Sequence, residues 1–256
     1  MEALISNPAA DPHAYEPTAA DARAVAEANL VISNGVGYDP WMDRLLAADG
    51  VSSAYQANAP HVLTVDLGAE VGARPGDNPH LWYDPQDVTR ASAAITRDLQ
   101  RLDPADSAYF ARRLTRFLTV TLAPYQALLR QIRAGAAHAP VGASESIFAP
   151  LAPALGLDLV TAASFLRAIS EGTDPAPADL RIIDRQLRSR AIAVYVLNTQ
   201  NETPDVTRQV ALAQAEHIPV VAITETLTPA SASFADWQVR QLRALAAALL
   251  PGSSHG

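Results

Sequence analysis

The sequence predicts an α/β fold: two lobes with mainly parallel sheets flanked by helices, joined by one long rigid helix. Three observations predict it. Short apolar runs alternate with helical patterns over the first hundred or so residues. That alternation then gives way to about 30 residues of unbroken helical spacing, and it resumes near residue 141. The implied organisation is an N-terminal lobe over 1–103, a linker helix over 104–135 and a C-terminal lobe over 136–256.

The elements follow in order. "EALIS" (2–6) reads as a short strand. "PTAADARAVAEA" (17–28) has Pro and Thr at a helix start and apolar residues at helical spacing. "NLVISNG" (29–35) is a buried strand ended by Asn-Gly, and "DPWMDRLLAAD" (39–49) is a helix with Asp39 as N-cap and Pro40 in its first turn. "HVLTVDLG" (61–68) is a strand, and "DPQDVTRASAAITRDLQRL" (84–102) repeats the Asp-Pro helix start. From Pro104 to about Arg133, residues such as Phe110, Leu114, Phe117, Leu118, Leu122 and Tyr125 recur mostly three or four apart, with Pro124 placed to kink the run. At about 1.5 Å per residue this helix is about 45 Å long. Strands are then predicted at 141–144, 157–162, 191–198 and 218–224, and helices at 147–155, 176–190, 204–216 and 234–250.

Composition excludes several functions. Nearly half of the 256 residues are hydrophobic and 18% are charged, as in a globular protein. The formal net charge is −8, and every basic residue is Arg. An acidic chain is poorly suited to nucleic acid, whose affinity comes largely from cationic side chains on phosphate, and better suited to a cationic ligand. The absence of Cys excludes disulfides, thiolate metal sites and Cys nucleophiles. No apolar run reaches the roughly 18 residues of a membrane span. "MEALISNPAA" has no basic region followed by a long apolar stretch, so it does not read as a signal peptide. There is no P-loop, no G-x-G-x-x-G and no G-x-S-x-G, and the Ser residues flanking Glu145 do not form a nucleophile elbow.

Two of the six His stand apart. His13 in "DPHAYEP" and His80 in "NPHLWYDP" each follow a Pro, in matched loops just before a helix start. Proline on both sides fixes backbone angles and lowers the entropy lost when such a loop closes on a ligand. His61, His138, His217 and His255 read as ordinary strand, linker and terminal residues. Among the carboxylates near strand ends or in loops of the second half, Glu145, Glu171, Glu202 and Glu225, only Glu145 and Glu225 directly follow strands. In an open α/β sheet ligands bind beyond the carboxyl ends of strands, so these two are placed to reach the same rim as the two His.

"NPAADPHAYEPTAADARAVAEANLVISNGVGYDPWMDRLL", followed by "NPHLWYDPQDV" about 65 residues after the first motif, resembles the zinc- and manganese-type solute-binding proteins of ABC transporters. The resemblance spans nearly the whole chain. It implies an extracytoplasmic protein, monomeric and not an enzyme, that captures one divalent transition metal between two lobes and delivers it to a membrane permease. It also implies four ligands: His13, His80, Glu145 in "ASESIFAPLAPALGLD", and Glu225 in "IPVVAITETL". This chain departs from the family pattern at several points. Glu225 stands where Asp is more usual, Glu145 where zinc-preferring members have His, and Asn198 where a Glu is frequent, and no His-rich loop is present. Two imidazoles and two carboxylates form a harder ligand set than three imidazoles, which holds Mn²⁺ level with Zn²⁺ and admits Fe²⁺. By the same resemblance "EALIS" corresponds to the second strand of its lobe, so an export signal and a first β-α unit are expected upstream of Met1. The competing readings are a metal-dependent hydrolase and a surface adhesin with incidental metal. A hydrolase needs an open coordination position and a general base, and no HExxH-like arrangement supplies the base.

Overall fold

The computed structural model describes residues 1–5, 7, 15–48 and 62–250. The chain divides into two compact units, Met1–Val120 and Thr121–Gly256.

In the first unit, α1 (Ala19–Ala26) begins in a capping box. Thr18 Oγ1 accepts from the Ala20 and Asp21 backbone N–H groups, while Asp21 Oδ2 accepts in return from the Thr18 N–H at 2.6 Å. Strand β1 (Leu30–Ser33) pairs in parallel with β2 (Leu63–Asp66), from Leu30 opposite Leu63 to Ser33 opposite Asp66. Between them lies α2 (Pro40–Ala48). Val25, Val31, Trp41, Met42 and Leu45 form the core over this sheet, with Leu4 and Ile5 packed at its margin. The N-terminal segment is therefore not the predicted strand over its described residues 2–5. Its apolar side chains are used as packing against the cluster, without a ladder partner to extend it.

The predicted strand at 61–68 ends early because Asp66 has a second role. Its carboxylate accepts from the Ala69 N–H at 3.0 Å and caps a short helix, α3 (Leu67–Val71), closed by Gly72 in the left-handed region at φ 81°. A single 3₁₀ turn, Leu81–Tyr83, follows His80. Then α4 (Pro85–Leu102) starts as the sequence predicts, with Asp84 as N-cap and Pro85 in the first turn.

The helical run expected from Pro104 is present but in pieces: a 3₁₀ turn Pro104–Asp106, α5 (Ser107–Arg116), a π-helical stretch Phe117–Thr121 and α6 (Ala123–Ala136). Pro124 explains the break. It lacks an N–H, and its ring would clash with the carbonyl of Val120, four residues back, in a regular helix. The widened π turns and the bridging conformation of Leu122 (φ −84°, ψ 0°) make room, so Pro124 falls in the first turn of a new helix.

The second unit holds a four-stranded parallel sheet in the order β4-β3-β5-β6: β3 (Pro140–Ala143), β4 (Asp158–Leu159), β5 (Val194–Asn198) and β6 (Val220–Ile223). All five residues of β5 are buried, as a central parallel strand requires. The helices are α7 (Leu151–Leu155), α8 (Ala163–Ser170), α9 (Pro177–Arg188), α10 (Pro204–Ala215) and α11 (Phe234–Leu249), the last packed on α6 and β6. Two predicted elements differ. The helix at 147–155 is a 3₁₀ turn Ser146–Phe148 followed by α7. The strand at 157–162 shortens to β4 because Thr161 turns inward, where its hydroxyl accepts from the Ala143 N–H at 3.0 Å in place of a strand carbonyl. Helix α8 has no counterpart among the predicted elements. Among the described residues no helix is long and apolar enough to cross a membrane.

Candidate metal centre

His80 belongs to the first unit and is fully buried. Asn78, two residues earlier, folds back over it. Asn78 Oδ1 accepts from the His80 backbone N–H at 3.0 Å and lies 2.8 Å from His80 Nδ1. An amide oxygen only accepts, so Nδ1 carries the proton, and in the neutral ring Nε2 keeps its lone pair. The ring is also walled by aromatics: Tyr38 at 6.0 Å and Trp82 at 5.4 Å between centroids, both edge-on, with Tyr38 against Trp82 at 4.9 Å.

A second loop braces this one. Asn34 Nδ2 donates to the carbonyl of Pro79, the residue before His80, at 2.8 Å. The loop itself turns through Gly35, Val36 and Gly37, all at positive φ (73°, 57° and 78°). For a β-branched Val this region is strained. Asp39 holds the turn closed, accepting from the N–H groups of Asn34 at 2.7 Å and Gly35 at 2.8 Å. Burial pushes the Asp39 carboxyl above its ordinary value, and those two N–H groups pull it back in part. "SNGVGY", a glycine-containing stretch that matches no nucleotide fingerprint, is thus the support beneath His80.

In the second unit, Glu145 and Glu225 stand just beyond the carboxyl ends of β3 and β6, and both are buried. They offer carboxylate oxygens within 4.8 Å of each other. Asn198, the last residue of β5 and itself buried, joins them: its Nδ2 donates to Glu145 Oε2 and, at 2.8 Å, to Glu225 Oε1. Asn198 Oδ1 accepts from the Gln200 N–H at 3.0 Å, which fixes the orientation of the amide and aims Nδ2 at the carboxylates. Ser170, at the end of α8, donates to Glu145 Oε1 at 2.6 Å. Gln200 Oε1 accepts from the backbone N–H groups of Glu225 at 2.6 Å and Thr226 at 3.1 Å, securing the turn that carries Glu225.

The remaining candidates fall elsewhere. Glu171 caps α8 and Glu202 sits in the loop before α10, both exposed. His138 and His217 follow the ends of α6 and α10 with φ of 62° and 58°, the left-handed residues that close helices. His138 is exposed and lies 3.4 Å from Asp158. His13, His61 and His255 lie outside the described residues. Sequence reasoning missed Asn78, Asn34, Ser170 and Gln200, and noted Asn198 only as a departure from a pattern. For Asn78 a signal was present: an Asn two residues before a His, across a Pro, is an Asx-turn arrangement.

Residues 2–248 match the family described as zinc-uptake complex component A, periplasmic. Manganese-binding lipoprotein MntA of Halalkalibacterium halodurans is 31% identical over 99 residues, 37% of this chain and 30% of that protein. Metal ABC transporter substrate-binding lipoprotein FimA of Streptococcus parasanguinis is 22% identical over 225 residues, 83% of this chain and 68% of that one. The chain thus spans under a third of MntA's length in its match, and about two thirds of FimA's. Among solved structures, FpvC of Pseudomonas aeruginosa in complex with Mn²⁺ superposes with a TM-score of 0.71 at 20% identity, covering 98% of this chain and 90% of that one. A Cd-bound periplasmic metal-binding protein from Candidatus Liberibacter asiaticus gives 0.73 at 16% identity, covering 94% and 88%. At these identities the structural likeness establishes the fold.

Proposed function

Because the chain belongs to the family of zinc-uptake complex component A, periplasmic, we propose that it captures a divalent transition metal outside the cytoplasmic membrane and delivers it to the permease of an ABC transporter. The cargo is Mn²⁺ or Zn²⁺, with Fe²⁺ third, and the ligands are His13, His80, Glu145 and Glu225. The protein acts as a monomer, without nucleic acid. The hydrolase reading is set aside, since the family is one of transport components.

The observation that carries this reading is the carboxylate pair. Two carboxylates are costly to bury, the more so close together, and are retained where a cation or a set of donors compensates them. A divalent ion matches two such charges. His80 supports the same reading from the first unit: its Nδ1 is engaged by Asn78, as the outer nitrogen of a metal-bound imidazole commonly is. Imidazole nitrogen and carboxylate oxygen together suit Mn²⁺, Fe²⁺ and Zn²⁺, among which intrinsic affinity favours Zn²⁺ and supply and geometry decide.

Metal analysis of protein purified without chelator, with calorimetric titration of Mn²⁺ and Zn²⁺, tests it. The wild-type chain should bind one ion. A His13→Ala, His80→Ala double variant should lose more than about a hundredfold in affinity, beyond the range for an outer-shell partner. Full binding by that variant overturns the ligand set.

A further inference from the structure

We propose that Asn198 is a specificity-determining positioning residue: its one amide nitrogen presets Glu145 and Glu225 to hold the ion through one oxygen each, and so keeps the coordination number low. This rests on the reading that the two Glu are metal ligands.

A primary amide has two donor hydrogens and one acceptor oxygen. Here the oxygen is committed to the Gln200 N–H, and the nitrogen meets both carboxylates. Each hydrogen therefore has its own carboxylate, and the two are tethered to a single atom at the end of the central strand. The strand end is fixed in turn, because the Asn198 backbone N–H donates to buried Ser144 Oγ at 2.9 Å and the Ser144 N–H to the Val196 carbonyl at 2.8 Å.

The consequence concerns how each carboxylate can meet a cation. A carboxylate that chelates turns both oxygens symmetrically onto the ion. Glu145 has a donor on each oxygen, Ser170 on Oε1 and Asn198 on Oε2. Glu225 has Asn198 on Oε1. Each carboxylate oxygen keeps a second lone pair for an ion, so the bonds to Asn198 act by holding each group's orientation. Rotating either Glu to bring both oxygens symmetrically onto the ion strains its hydrogen bond to Asn198, whereas binding through one oxygen leaves those bonds in place. Two carboxylates giving one oxygen each supply two ligand atoms, and two chelating ones supply four. The smaller set favours ions content with four ligands, Zn²⁺ above all, over Mn²⁺, which accepts six. A carboxylate at position 198 would instead add a third negative group and remove the shared donor, so the Asn is chemically distinct from the Glu frequent at this place in the family.

The test uses the full chain with Co²⁺ as a spectroscopic probe, because its visible d–d bands intensify as coordination falls from six toward four. Asn198→Leu keeps the side-chain bulk and deletes the donor. Asn198→Ala, which likewise deletes the donor, serves if the leucine variant gives no cooperative melt. The proposal expects weaker Co²⁺ bands in the variant than in the wild type, and a Zn²⁺-over-Mn²⁺ affinity ratio lower by about tenfold, the scale on which outer-shell partners act. A merely structural role would lower the melting temperature and leave the bands of the bound ion unchanged. Bands and ratio equal to wild type overturn the proposal. A Glu145→Gln, Glu225→Gln variant separates the two ideas: if it binds Co²⁺ with wild-type affinity and spectrum, the ligand assignment itself has failed, whatever Asn198 does.

Discussion

His80 and Glu145 are both fully buried, yet they are held by opposite strategies. His80 is oriented mainly by its neighbours in sequence: Asn78 two residues before it, Trp82 two after, and a start of α4 at Asp84 and Pro85 that ends the loop. Tyr38 and Asn34 of the preceding loop pack against it and its backbone. Glu145 is fixed by residues far along the chain, Ser170 at a separation of 25 and Asn198 at 53. Local turn chemistry orients the His80 ring, and a long-range bond to its loop, from Asn34 to the Pro79 carbonyl, braces the backbone beside it. Long-range bonding ties a ligand to the integrity of a sheet. The same contrast runs through the units around them. Among the described residues the first has a two-stranded sheet and a small apolar cluster reinforced by caps and a strained turn, and the second a four-stranded sheet with fully buried large side chains.

Core truncation should separate the two units most strongly. Leu187 in α9 is completely buried, and Leu187→Ala is expected to cost about 2–5 kcal/mol in urea denaturation. Leu45, a member of the first unit's small cluster and 8% exposed, should cost about 2 kcal/mol, at the low end of that range, on the same change. Equal costs would mean the first unit relies on its core as much as the second does, and the contrast would fail.

Gly68→Ala probes the strained turn instead. A methyl there would run into the Val36 side chain and come within 3.3 Å of the Asn34 carbonyl, which already accepts from the Gly68 N–H at 2.9 Å. The expected loss is about 1–3 kcal/mol by overpacking. Because Asn34 also holds the Pro79 carbonyl, this substitution should weaken metal binding as well. A stability loss with unchanged affinity would show that the turn supports the fold and not His80.

Asn78→Ala carries a smaller effect confined to the site. Without the Asn78 oxygen the proton on His80 is free to move to Nε2, so Zn²⁺ affinity should fall about tenfold, or about 1.4 kcal/mol. Asn78→Asp keeps an acceptor in place and should bind far better than the alanine variant. Alike affinities in calorimetry for the two variants would remove Asn78 from the account.

This contrast also decides what was legible in the sequence. The Pro-His loop, the Asp84–Pro85 helix start and the alternation that builds both sheets are local signals, and each of those elements is present. The short helix capped by Asp66 and the inward turn at Thr161 were missed because one side chain takes over a backbone role, which periodicity does not register. Asn198 was visible only as an unexpected residue. Its partners are 27 and 53 positions away, and nothing short of the sheet register brings them together.

The smallest expected effect tests whether the local braces of the first unit are charge-assisted, as the apolar core of the second is not. Asp21 accepts from the Thr18 backbone N–H, the Thr18 hydroxyl and the Tyr15 hydroxyl, the last two at 2.8 Å. The Thr18 N–H above all holds its carboxyl below the ordinary value, against the opposing effect of burial. A depressed value in the folded state means that ionised Asp21 stabilises the fold above the unfolded-state pKa of about 3.9, and that this contribution is lost as pH falls through the folded value. Asp21→Ala should therefore cost about 1 kcal/mol near neutral pH, the usual scale for a helix cap. That gap should narrow progressively below about pH 4, while the gap for Leu187→Ala, which involves no ionisation, should stay constant. Thermal melts of both variants beside the wild type from neutral to acid pH read this directly. A constant Asp21→Ala gap would mean that the cap works through hydrogen-bond geometry alone, and that charge is not what distinguishes the braces of the first unit from the core of the second.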